Sequence, residues 1–240
     1  MSLKRLIRII YLTLAVLLGN AGTSWGADYE KGLAAYEGGD FATALREWGP
    51  LAEQGNAYAQ NNLGTLYANG WGVPEDYKTA AKWYTLAAEQ GVVDAQNILG
   101  FFYLNGRGVA QNYETAVKWY TLAAEQGHIR AQFNLGFLYA NGRGVTQSDK
   151  TGVKWWTLAA EQGYVLAQYN LGQMYRNGQG VTKDNVYAYM WADIVALGGD
   201  QNGVRFREKV AKDMTSAQLT LAQDLVRECV RKEYKECSVG

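Results

Sequence analysis

Few side chains in this sequence have the chemistry for catalysis or metal binding. The sole histidine, His128, follows a glycine that ends a helix, and any Ser-His-Asp or Cys-His site would have to use it. Nothing beside it supplies the partners, so it reads as an exposed turn residue. One histidine, with no cysteine before position 229, does not make a metal site. Glu53, Glu89, Glu125 and Glu161 recur at the ends of equivalent helices, which fits a structural or solvated role better than acid–base work. Gly106-Arg107-Gly108 resembles a phosphate cradle in composition, but it follows a helix rather than a strand and recurs, so it reads as a turn. No catalytic residue, metal or cofactor is expected.

Cys229 and Cys237 are the only cysteines. On one continuous helix they would lie about 12 Å apart along the axis, beyond the roughly 7 Å limit for a bridge. A disulfide therefore requires the helix to break before Cys237. The alternative is a pair of free or intermolecular thiols.

The element that must position everything else is a repeat. Ala59 to Val73, with Leu63, Gly64, Tyr67, Gly70 and Gly72, returns at Ala95–Val109, Ala131–Val145 and Ala167–Val181, each time 36 residues on. Such a period marks a stacked-repeat architecture. Each unit resolves into two helices. In the first, Ala95, Leu99 and Tyr103 fall on one buried stripe. Gly64, Gly100, Gly136 and Gly172 sit inside this helix at a cost of about 1 kcal/mol each relative to alanine, so a neighbouring helix must cross too closely to admit a Cβ. Asp76, Asn112, Ser148 and Asp184 are N-caps for the second helix. Its buried stripe is expected to run Ala80, Trp83, Ala87, with Tyr84 beside it, and to repeat at Trp119 and Trp155.

Three flanking pieces differ. Residues 1–26 have a basic start (Lys4, Arg5, Arg8), an apolar run from Ile9 to Leu18 and small residues before Ala27. This reads as a secretory signal peptide cut between Gly26 and Ala27, with an uncleaved anchor as the alternative. The product is then periplasmic or secreted, with no stable membrane span after cleavage. Basic and acidic residues number 23 each over the whole chain, which gives no electrostatic reason to expect nucleic acid. Residues 27–54 make a shortened leading helix pair and 199–240 a set of capping helices. Thr215 to Gln218 has capping-box spacing. Four full units lie between, at 55–90, 91–126, 127–162 and 163–198.

The pattern A-x3-L-G-x2-Y-x2-G-x-G-V, followed by A-x2-W-Y-x2-A-A-x2-G, resembles the Sel1-like repeat family, a relative of the tetratricopeptide repeat with a longer loop. The resemblance implies an all-α, right-handed superhelical solenoid that acts as a non-catalytic scaffold or adaptor for other proteins. A structural part in an envelope or polysaccharide-export assembly is the alternative. Some cysteine-rich Sel1-like proteins are associated with β-lactamase or penicillin-binding activity. Those carry a cysteine pair in each repeat, and residues 27–228 here contain none.

A helical wheel turns positions 59, 63, 66 and 67 inward and 58, 61, 65 and 68 away. In the tetratricopeptide proteins that this chain resembles, those outer offsets line a concave groove. The rungs here are Tyr58, Asp94, Arg130 and Leu166; Asn61, Asn97, Phe133 and Tyr169; Thr65, Phe101, Phe137 and Gln173; and Ala68, Leu104, Ala140 and Arg176. Asn61 and Asn97 suit hydrogen bonds to an extended peptide, and Arg130 and Arg176 suit acidic groups. Phe101, Phe133, Phe137 and Tyr169 would form an apolar binding patch. Alternatively, these rings pack between units. A protein or peptide partner is expected, with a cell-envelope glycan as a further possibility.

Overall fold

Asp76, Asn112, Ser148 and Asp184 each accept a hydrogen bond from a backbone N–H two or three residues ahead, and a helix starts immediately after each. The computed structural model describes residues 27–237; the expected signal segment lies outside them. Among the described residues are twelve helices and no strand: α1 (Tyr29–Glu37), α2 (Phe41–Glu53), α3 (Ala57–Asn69), α4 (Tyr77–Glu89), α5 (Val93–Asn105), α6 (Tyr113–Glu125), α7 (Ile129–Asn141), α8 (Asp149–Glu161), α9 (Val165–Asn177), α10 (Asn185–Leu197), α11 (Gln201–Ala211) and α12 (Ser216–Arg231). Each of α1 to α11 packs chiefly on its neighbours in sequence, and α12 returns to cover α10. The result is an all-α solenoid.

Within a unit, two helices meet glycine against aromatic ring. A Cβ added to Gly100 would stand 2.6 Å from the Tyr120 ring, and Gly64 faces Tyr84 in the same way. Gly136 faces Trp156, and Gly172 faces Phe206 of α11. The close crossing expected from these glycines is present, but the ring that makes it is not the expected tryptophan. Tyr84, Tyr120 and Trp156 are buried in the crossing. Trp83, Trp119 and Trp155 are half-buried and pack on the core cluster formed by the preceding second helix and their own unit's first helix. The apolar stripe is two rings wide, and the residue one position further along points at its own unit's glycine.

The loop between paired helices uses its glycines differently. Gly106 closes α5 in the left-handed conformation, at φ 70°. Gly108 lies directly on the backbone of Tyr77 and Lys78 at the start of α4, where a side chain would collide. The longer loop is therefore an inter-unit contact as well as a turn.

A buried polar ladder joins successive units. Gln60, Gln96, Gln132 and Gln168 are at most 4% exposed. Their Nε2 atoms donate to the carbonyls of Ala52, Ala88, Ala124 and Ala160 at 3.0–3.2 Å. The Oε1 atoms of the first three accept from Gln90, Gln126 and Gln162 at 2.7–2.8 Å. Each buried glutamine thus ties the end of one second helix to the start of the next first helix. Buried amides are tolerated only when paired in this way.

The C-terminal cap follows its sequence signals. Thr215 and Gln218 form a reciprocal capping box at the start of α12. The helix ends at Arg231, and Glu233, Tyr234 and Glu236 take positive φ angles, which turn the chain back. Cys237 then reaches Cys229 with Cα atoms 5.2 Å apart, and the two form a disulfide. The required helix break is present.

Candidate partner-binding groove

The first helices of units one to three place Asn61 and Thr65, Asp94 and Asn97, and Arg130 around one hollow of about 810 Å³. All five belong to the expected ladder. Asn61 donates its amide to Asn62 Oδ1 at 3.3 Å. Its own Oδ1, like that of Asn97, is shielded from solvent and accepts no hydrogen bond. A shielded, unpaired carbonyl costs about 1–3 kcal/mol, so each side chain gains by turning its oxygen towards a donor. Thr65 donates to the Asn61 carbonyl at 3.2 Å and lies 3.0 Å from the Tyr84 hydroxyl, which anchors this wall to α4.

The other wall comes from the turns between units. His128 caps α7, with Nδ1 accepting from the Ala131 N–H at 3.2 Å. It is not the exposed turn residue expected: its side chain is 18% exposed, and Nε2 lies 3.5 Å from Asp94 Oδ1. Burial holds its pKa below the ordinary value, and Asp94 only partly opposes this. Gln162 donates to the Gly127 carbonyl at 3.1 Å while completing the buried ladder. Ile98, Ile129 and Tyr164 supply apolar surface. Apart from Ile98, which lies within α5, these wall residues escape a helical wheel because they come from turns and helix ends.

The remaining ladder residues have different surroundings. Phe133 is half-buried, with its ring 5.0 Å from that of Tyr164 and its carbonyl accepting from Trp156 Nε1 at 3.1 Å. Tyr169 packs on Phe206 at 5.5 Å and accepts from Gln173 at 3.1 Å. Those two rings follow the packing alternative. Phe101 and Phe137 stay exposed, at 40% and 37%, but Arg107 and Arg143 lie over them at 5.2 and 5.4 Å. They are capped by cations rather than bare. Tyr58 stands out at 65% exposure and Leu166 at 52%, whereas Leu104 and Ala140 pack against the unit-three core clusters. Arg176 pairs with Asp213 at 3.4 Å, beside a second, smaller hollow that it shares with Tyr169 and Gln173.

Hydrogen-bond acceptors, one carboxylate, one guanidinium and a floor of aliphatic side chains suit recognition of a peptide segment. Among the described residues, no cluster of three or more His, Cys, Asp or Glu could hold a metal ion. No helix there is long and apolar enough to cross a membrane.

Solenoid and groove together define a helical-repeat protein of the interaction-scaffold type. The Sel1 repeat model matches residues 57–92, 93–128, 129–164 and 165–200, and the chain belongs to the Sel1 repeat family. Such proteins are generally protein-interaction scaffolds, typically without enzymatic activity. A Sel1 repeat protein from Oxalobacter formigenes is similar at 34% identity and a TM-score of 0.69, over 76% of this chain and 74% of that one. The antigen c5321 of uropathogenic Escherichia coli, described as protective and as displaying an SLR fold, is similar at 31% identity and a TM-score of 0.51. That match covers 82% of this chain and 50% of the antigen. No curated protein matches the chain significantly.

Proposed function

We propose that this chain is an exported, non-catalytic scaffold of the bacterial cell envelope that binds an extended segment of a partner protein along its concave face. The observation that carries the reading is the pair of shielded, unpartnered carbonyls of Asn61 and Asn97, at equivalent positions of successive units in one hollow. An extended peptide presents N–H groups that would satisfy them once the two side chains turn their oxygens into the hollow. The basic, then apolar, N-terminus supports export, and the Cys229–Cys237 disulfide is compatible with an oxidising compartment. Among the four units the core positions are nearly uniform while the rungs differ.

The test is in-cell crosslinking from a photoreactive residue at position 94, with mass spectrometry of the adducts. One dominant protein adduct, lost in Asn97→Ala, supports the reading. Adducts confined to this chain would overturn it.

A further inference from the structure

The hollow between α9 and α11, of about 180 Å³, gathers Arg176, Arg205 and Lys209 around Gln173 and Asn202. We infer that it is a carboxylate-binding subsite for an acidic stretch of the same partner segment, an inference that rests on the concave-face reading above. One acidic side chain, Asp213, answers these three cations, through Arg176 at 3.4 Å. The Arg205 guanidinium donates to the neutral Asn202 Oδ1 at 2.8 Å, and Lys209 has no ion-pair partner among the described residues. Asp193, the other carboxylate engaged by α11, is taken up by Arg207 at 2.7 Å.

The arrangement costs the fold something. Arg205 and Lys209 are four apart on one helix, where like charges repel. α9 and α11 are not equivalent units of the repeat, so the cluster is not a by-product of periodicity. The floor is built: Tyr169 and Phe206 pack at 5.5 Å, and Gln173 is held by the Tyr169 hydroxyl. The hollow has room for one or two carboxylate groups. The larger hollow balances Asp94 against Arg130, so the concave face carries its net positive charge at this end. A bound segment would place its apolar and backbone groups at units one to three and its acidic residues here. Guanidinium and ammonium groups favour carboxylate in that setting.

The probe is an acetylated, amidated tri-glutamate peptide, titrated into the purified chain while the side-chain amides of Gln173 and Asn202 are followed by NMR. Saturable shifts are expected with tri-glutamate, and at least about tenfold weaker binding with tri-glutamine. Arg205→Gln with Lys209→Gln should abolish the response; both side chains are exposed, and an unchanged circular dichroism spectrum will show that the variant is folded. Equal response to the two peptides, an unchanged response in the double variant, or tighter binding of inorganic phosphate would overturn the assignment. The two readings fail separately. Loss of the position 94 adduct with the tri-glutamate response intact would leave the subsite standing alone. The adduct without that response would leave only the groove.

Discussion

Gly100 and Tyr120 meet so closely that the ring occupies the place where a Cβ would be, 2.6 Å from the nearest ring carbon. The same meeting of glycine with a ring recurs in the first three full units, and it sets how near their two helices lie and hence where the groove-lining first helix stands.

Gly100→Ala should therefore destabilise the protein although alanine is the better helix former. Overpacking a core costs about 1–3 kcal/mol, and the helical gain returns at most about 1. Urea denaturation should show a lower midpoint with an unchanged slope.

The glutamine ladder makes a second prediction. Gln96→Ala removes its bonds to the Ala88 carbonyl and from the Gln126 amide, which keep the Gly91 N–H and the Leu122 carbonyl as partners, at a cost of about 1–2 kcal/mol. Glu89→Ala, on an exposed side chain two helix positions from the junction, should change stability by less than about 0.5 kcal/mol. Thermal unfolding of the two variants compares them directly.

His128 caps α7 through an unprotonated Nδ1 and is held below its ordinary pKa of 6.5, chiefly by burial. The unfolded chain thus takes up a proton where the folded one does not. The stability tied to the neutral cap is fully present above 6.5 and is lost as pH falls through that value towards the folded pKa. Asn56 caps α3 at the equivalent position, accepting from the Ala59 N–H at 2.9 Å. His128→Asn should keep the cap and remove this part of the pH dependence, as read by unfolding midpoints between pH 7 and 5.

Reducing the Cys229–Cys237 bridge frees a short closed loop and should cost about 2–3 kcal/mol locally. Hydrogen exchange should accelerate after Arg231 and at the end of α12, with α3 to α9 unchanged. A uniform loss of protection would contradict the picture of a solenoid stabilised by nearest neighbours.

Local chemistry was the most legible part of the chain. Asp76, Asn112, Ser148 and Asp184 cap helices through contacts within three residues, so type and position suffice to find them. Asn61, Asn97 and Asp94 were legible because a wheel assigns a face to each residue of a helix. Which ring of the Trp83-Tyr84 pair enters its own unit was not, since both lie on the inward side and tertiary fit decides. His128, Gln162 and Tyr164 line the groove from inter-unit turns, and Arg205 and Lys209 enter from one helix, α11, outside the period. No pattern within one unit contains either relationship. Arg107 over Phe101 was equally hidden, because a loop folds back on a helix to make it.

The most direct test of the central claim compares crosslinking in living cells from two positions, Asp94 in the groove and Leu122, an exposed residue of α6 outside it. The account predicts a single dominant partner adduct from position 94, none of that protein from position 122, and loss of the former when Asn61 and Asn97 are both changed to alanine. The same partner captured equally from both positions, or captured at 94 regardless of the two asparagines, would contradict it.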